Sequence, residues 1–166
     1  MRTLTFRGYL AMAVVGLLVA VGWMAAGTVR AQEAGVRHAT GTFEVSVTPA
    51  DPEVKEAGLG LSRYSLSKTF TGGMSGVSVG QMLAGGPSDD VGTYVALERF
   101  VGTLDGREGA FLLAHRGDMN AGGYTLSITV VPNSGTGALE GISGDFALTI
   151  AGGEHSYDLS YSLPPE

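Results

Sequence analysis

The sequence predicts an all-β fold, an eight-stranded antiparallel β-barrel preceded by a signal peptide. Three observations point there. After Thr40, apolar and polar residues alternate with a period of two through most of the chain. Glycine makes up 27 of 166 residues and falls between the apolar runs, where tight turns belong. Beyond residue 31, no stretch sustains the three- and four-residue apolar spacing that an amphipathic helix requires.

The first element reads as an address. Arg2 and Arg7 give it a positive start, Leu10 to Ala26 is uncharged and apolar, and Val29-Arg30-Ala31 puts small residues where a signal peptidase reads. Cleavage is expected between Ala31 and Gln32. Residues 1–31 are then a signal peptide, 32–40 a flexible N-terminus and 41–164 the barrel. The apolar stretch falls short of the roughly 20 residues of a membrane span, so no stable membrane anchor is expected after cleavage. The expected destination is the periplasm of a bacterial envelope, or secretion.

The strands follow in order. Phe43, Val45 and Val47 alternate with Thr42, Glu44, Ser46 and Thr48. Tyr124, Leu126, Ile128 and Val130 alternate with Thr125, Ser127 and Thr129, and His155 to Leu163 repeats the pattern. Successive strand side chains point to opposite faces, so such alternation marks half-buried strands. Asp105-Gly106, Gly152-Gly153, Gly72-Gly73 and Asn120-Ala121-Gly122-Gly123 supply turn chemistry between the runs. The strands are expected near 41–48, 61–70, 74–83, 93–104, 109–118, 124–132, 138–150 and 154–163, with Gly141 and Gly144 as a bulge or bend in the seventh. Closing eight such strands into a barrel removes both edges. A two-sheet sandwich is the competing architecture, and periodicity does not separate the two.

Composition excludes several functions. The chain has no cysteine, which removes disulfides, thiolate zinc sites and cysteine nucleophiles. Three of its ten basic residues lie in the leader and all sixteen acidic ones lie beyond it, so residues 32–166 carry seven basic against sixteen acidic residues, a net of −9. Such a domain repels a polyanion, and no nucleic-acid partner is expected. The three histidines lack ligand-like spacing, so no metal and no cofactor is expected. The glycine-rich segments lack the Lys-Ser/Thr ending of a phosphate loop, and Ser134 has no nucleophile-elbow context.

Four stretches carry a family resemblance. Tyr94-Val95-Ala96-Leu97-Glu98-Arg99, Gly102-Thr103-Leu104-Asp105-Gly106-Arg107, Val130 to Gly137, and Gly153-Glu154-His155-Ser156-Tyr157 resemble hallmark segments of the domain of unknown function 3224 (DUF3224) family. The likeness runs from about Ala39 to Leu163. It implies a closed barrel similar to that of allene oxide cyclase and dirigent proteins, and it implies no activity. Borrowing the chemistry of those proteins would rest on fold alone.

Three ionisable side chains share the inward-reading faces. Lys68 alternates with Tyr64, Leu66 and Phe70, Glu98 with Tyr94, Ala96 and Phe100, and His115 with Phe111 and Leu113. An isolated charge in an apolar interior is expensive, so such groups pair, shift their pKa or line a wet cavity. Together they would suit proton transfer on a small hydrophobic molecule, and they are the catalytic candidates. The opposite face of the same segment, with Val95, Leu97 and Val101, is also apolar, so the direction of Glu98 is ambiguous. A structural ion pair is the simpler reading. Tyr64, Tyr94, Tyr124, Tyr157 and Tyr161 read as inward, and they are the ligand-lining candidates.

Three functions stay open. The leading one is binding of a small apolar or aromatic ligand inside the barrel, without catalysis. The second is an isomerase- or cyclase-like enzyme using Lys68, Glu98 and His115. The third is a structural or partner-binding envelope protein, including a homo-oligomer joined through Val95, Leu97 and Val101.

Overall fold

The computed structural model describes residues 35–50, 60–88 and 91–165. The expected signal peptide and its cleavage point lie outside the described residues. The strands are β1 (Arg37–Pro49), β2 (Gly60–Gly72), β3 (Met74–Ser88), β4 (Val91–Leu104), β5 (Arg107–Asn120), β6 (Gly123–Val130), β7 (Thr136–Gly137), β8 (Ser143–Ala151) and β9 (Glu154–Ser162). Among the described residues there is no helix.

Eight strands close on themselves in the order β1-β2-β3-β4-β5-β6-β8-β9, with β9 pairing back to β1. Every neighbour is antiparallel, and the two-residue β7 adds a short pairing at the base of β5. Closure decides between the two architectures left open by the sequence: the molecule is a barrel, not a sandwich. Pairing is extensive around most of the ring. Between β6 and β8 it consists of Thr129 with Asp145, so the wall parts above that point.

Two boundaries differ from expectation. β1 starts at Arg37, so residues 37–40, read in the sequence as part of a flexible N-terminus, are strand paired to β9. Only Ala39 in that stretch is apolar, so alternation alone gave little sign of it; Ala39 is nonetheless buried. The seventh strand, expected from 138, starts at Ser143. Residues 138–142 instead form tight turns, with Leu139 N–H donating to Thr136 and Ile142 N–H to Leu139. Leu139 and Ile142 drop into the core from these turns, a three-residue spacing that no strand could use. Gly141, expected at a bulge or bend, makes the turn at φ +76°, beneath Pro164.

The turns follow local chemistry. Asp105-Gly106 (φ +47° and +80°) and Gly152-Gly153 (φ +61° and +85°) are two-residue hairpins with both residues left-handed, the geometry that matches strand twist.

The core is an aromatic layer of Phe43, Phe70, Phe100, Phe111, Phe146 and Tyr157. Phe70 meets Phe100 edge-on at 5.6 Å, and Phe146 stacks on Tyr157 at 5.4 Å. Below this layer the barrel is sealed. Tyr157 Oη accepts the Met74 N–H at 2.7 Å and donates to the Thr71 carbonyl at 3.1 Å, pinning the β2–β3 turn. Tyr161 Oη donates to Asp105 at 2.7 Å, pinning the β4–β5 turn. We expect Tyr157→Phe to lower unfolding free energy by about 1–2 kcal/mol in urea titration, because the buried Met74 amide loses its acceptor while packing is kept. Above the layer the barrel opens. Val47 and Ile150 sit on inward positions yet are 49% and 61% exposed.

Candidate functional site

Lys68, Ser78, Glu98 and His115 come from four consecutive strands, β2 to β5. Register brings them together. Lys68 lies opposite Ser78, Ser78 opposite Phe100, and Glu98 opposite Leu113, so Glu98 is the diagonal neighbour of Ser78 and His115 that of Glu98. The steps from Ser78 to Glu98 and from Glu98 to His115 each climb by one residue pair toward the open end. Gly80, directly opposite Glu98, has no side chain to occupy that space; a Cβ there would stand 2.6 Å from Leu66 Cδ1 and 3.0 Å from the Glu98 Cα.

The strand alternation of β4 settles the direction of Glu98. Ala96, Glu98 and Phe100 are buried, whereas Val95, Leu97, Arg99 and Val101 face out. Glu98 is fully buried, and its carboxylate is held on both oxygens. Lys68 Nζ donates to Oε2 at 2.7 Å, and Ser78 Oγ donates to Oε1 in a short contact. His115 Nε2 stands 3.0 Å from Oε2. That oxygen lies off the N–H direction, so the buried Nε2 completes no hydrogen bond with it. Lys68 is caged by rings, with Nζ 4.8 Å from the centroid of Phe43, 5.8 Å from Phe70 and 5.9 Å from Phe146.

Electrostatics follow from this packing. Burial pushes the Glu98 carboxyl up, but the His115 ring, then Lys68 and Ser78, outweigh it and hold the group down at about 2. Glu98 is therefore ionised at any physiological pH and is a poor base.

The five tyrosines do not form one surface. Tyr157, within the aromatic layer, and Tyr161 point their hydroxyls to the turns of the closed end, away from the cluster. Tyr64, Tyr94 and Tyr124 stand at the open end. Tyr94 and Tyr124 join hydroxyls at 2.9 Å, and the Tyr94 ring lies flat over Gly117, where a Cβ would come within 2.1 Å of it. Burial and then the Tyr124 bond push the Tyr94 phenol well above its ordinary value. Alternation assigns a face but not a height along the barrel, so the sequence placed all five together.

Ser78, Gly80, Gly117 and the phenylalanine cage went unread in the sequence. Ser78 left one trace, a small polar residue in phase with Lys68 once the β2–β3 turn is counted. Of the other histidines, His38 pairs with Asp158 at 2.8 Å on the surface, and His155 packs on Phe43 at 5.2 Å. Among the described residues, no group of three or more His, Asp or Glu side chains is arranged to hold a metal.

Two concave spaces lie on the outside of the wall. One, of about 650 Å³, crosses β1 to β5 past Ser46, Ser67, Val79, Leu97 and Leu112. The other, of about 310 Å³, runs along β1, β2 and β3 beside Glu44 and Val77.

Residues 39–161 match the family model described as a protein of unknown function, DUF3224. The chain is also similar to the crystal structure of a protein with unknown function from the DUF3224 family of Shewanella oneidensis MR-1. Identity is 38%, the TM-score is 0.73, and the match covers 80% of this chain and 100% of that one. No curated protein matches the chain. Family match, structural likeness and closed eight-stranded barrel agree: the chain belongs to the DUF3224 family.

Proposed function

We propose that this is an exported barrel that binds a small apolar or aromatic molecule through its open end. The observation that carries the reading is the buried Nε2 of His115, which stands 3.0 Å from the Glu98 carboxylate without an aligned hydrogen bond to it, above a saturated ion pair and below a solvent-open rim of tyrosines. A buried polar atom without a well-aligned hydrogen bond carries a cost, which a ligand or water reaching it reduces. Because Lys68 and Glu98 cancel, the cluster favours a neutral ligand with one hydrogen-bonding group at the end of an apolar body. Export rests on the sequence of residues 1–31.

A thermal-shift screen of neutral aromatic alcohols and ketones tests the binding. A true ligand at about a hundredfold excess over Kd stabilises the fold by about 2.7 kcal/mol, and His115→Phe removes that shift. If no compound raises the melting temperature, or if His115→Phe leaves every shift intact, the reading fails.

An isomerase- or cyclase-like activity is the second reading. It is favoured by the convergence of Lys68 and His115 on Glu98 within 3.0 Å. In it His115 moves the proton and Glu98 orients the ring. His115→Gln then abolishes turnover of any ligand found while leaving its binding measurable.

A further inference from the structure

We propose that two copies of this chain associate through the outer wall formed by β2, β3 and β4. Six aliphatic side chains stand out from two adjacent strands there: Val77, Val79 and Leu83 on β3, Val95, Leu97 and Val101 on β4. Each is 41–61% exposed. Val77 lies opposite Val101 and Leu83 opposite Val95; between these pairs Val79 and Leu97 are diagonal neighbours, flanked by Arg99 and Gln81. In most antiparallel sheets the outward face is polar. Here the middle of β4, from Tyr94 to Val101, is apolar on both faces except for Glu98 inside and Arg99 outside.

Charge argues for a second copy as the occupant. Residues 32–166 carry a net −9, so two copies repel over most of their surface. The carboxylates are not evenly placed. β2 and β3 contain no Asp or Glu, and the one in β4, Glu98, is buried inside the barrel. The flanking strands carry Glu44 on β1 and Glu108 and Asp118 on β5, and the far side of the ring carries Asp145, Glu154 and Asp158 on β8 and β9. Between those margins, the β2–β4 wall is where two acidic molecules can meet without opposing carboxylates.

Size and shape agree. Ser75 to Leu83 spans about 26 Å along the strand, and the three strands of the wall span about 14 Å across, roughly 360 Å² in projection. That is below the ~800 Å² per partner of a standard interface, as fits a weak, concentration-dependent dimer. The groove of about 650 Å³ crosses five strands, so the wall dips along the strand direction while curving outward around the barrel. Two such saddles nest when one is turned through about a right angle, the orthogonal mode of sheet packing. The groove is edged by Ser46, Ser65, Ser67 and Gln81. Gln81 donates to Ser65 at 3.1 Å, which leaves its carbonyl oxygen as an acceptor for Arg99 of the opposing copy.

The test is the mass of the chain in solution, purified after export, by sedimentation across about 1–100 μM. The wild type is expected as a concentration-dependent dimer. Leu97→Glu and Val79→Glu each weaken it at least tenfold without changing the melting profile of the diluted chain, whereas Thr149→Glu on β8, across the ring, leaves it intact. Because the chain has no cysteine, Leu97→Cys gives a second measurement that does not depend on a disruptive charge: oxidation should yield a disulfide-linked dimer. A wild type that stays monomeric at about 100 μM overturns the proposal. So does a dimer indifferent to both glutamates, or a monomer that carries an apolar small molecule on this wall.

Discussion

Replacing Glu98 by leucine should cost the fold about 3–5 kcal/mol, a large share of the 5–15 kcal/mol that holds a domain of this size together. The loss comes mainly from what remains. Lys68 is nearly buried, and its only carboxylate partner among the described residues is Glu98, at 2.7 Å. The rings of Phe43, Phe70 and Phe146 offer the ammonium cation–π attraction but no hydrogen-bond acceptor. Without Glu98 the lysine must stay charged in an apolar cage, lose its proton, or pull the wall open to reach water. Equilibrium unfolding in urea measures the effect. The double replacement Lys68→Met with Glu98→Leu should recover most of it, because removing both charges removes the desolvation as well as the attraction. If the double variant is no more stable than Glu98→Leu alone, Lys68 is not the group left stranded.

Acid should unfold the barrel through the same carboxylate. In the fold Glu98 titrates at about 2, against 4.5 for the free side chain. A folded value below the unfolded one means stability that is full above pH 4.5 and lost as pH falls toward 2. At 1.36 kcal/mol per unit this single group supplies about 3 kcal/mol across that window. His115, Lys68 and Ser78 face the carboxylate, so the wild type should steepen in acid sensitivity below pH 4.5, while the Lys68→Met, Glu98→Leu chain should lose that steepness. Melting temperatures at half-unit pH steps distinguish the two, and parallel curves would rule the cluster out as the source.

Much of the fold was legible because local chemistry dictates it. Alternation in β1, β6 and β9 and the Asp105-Gly106 and Gly152-Gly153 turns need no tertiary information. What was hidden depends on distant partners. Leu139 and Ile142 are buried by the turns around them, not by any strand period. The direction of Glu98 was ambiguous because Val95, Leu97 and Val101 make the outside of β4 as apolar as its inside. Lys68, Glu98 and His115 were correctly grouped by face. Their meeting is set by register, which slides a neighbour up or down by two residues without altering the pattern. The same blindness to height merged Tyr157 and Tyr161 with the tyrosines at the opposite end.

The ring order also fixes when the barrel can finish. β1 pairs at once with β2, but its other edge, from Arg37 to Phe43, waits for β9, the last strand synthesised. Until then the nascent chain is an open, curling sheet with two unsatisfied margins, the form most prone to join a neighbour's sheet. The first margin carries Arg37 and His38 on its way to Phe43, and charge along an edge discourages that pairing. A ribosome that stalls before Glu154 therefore releases no smaller barrel, only a sheet still searching for its closing strand.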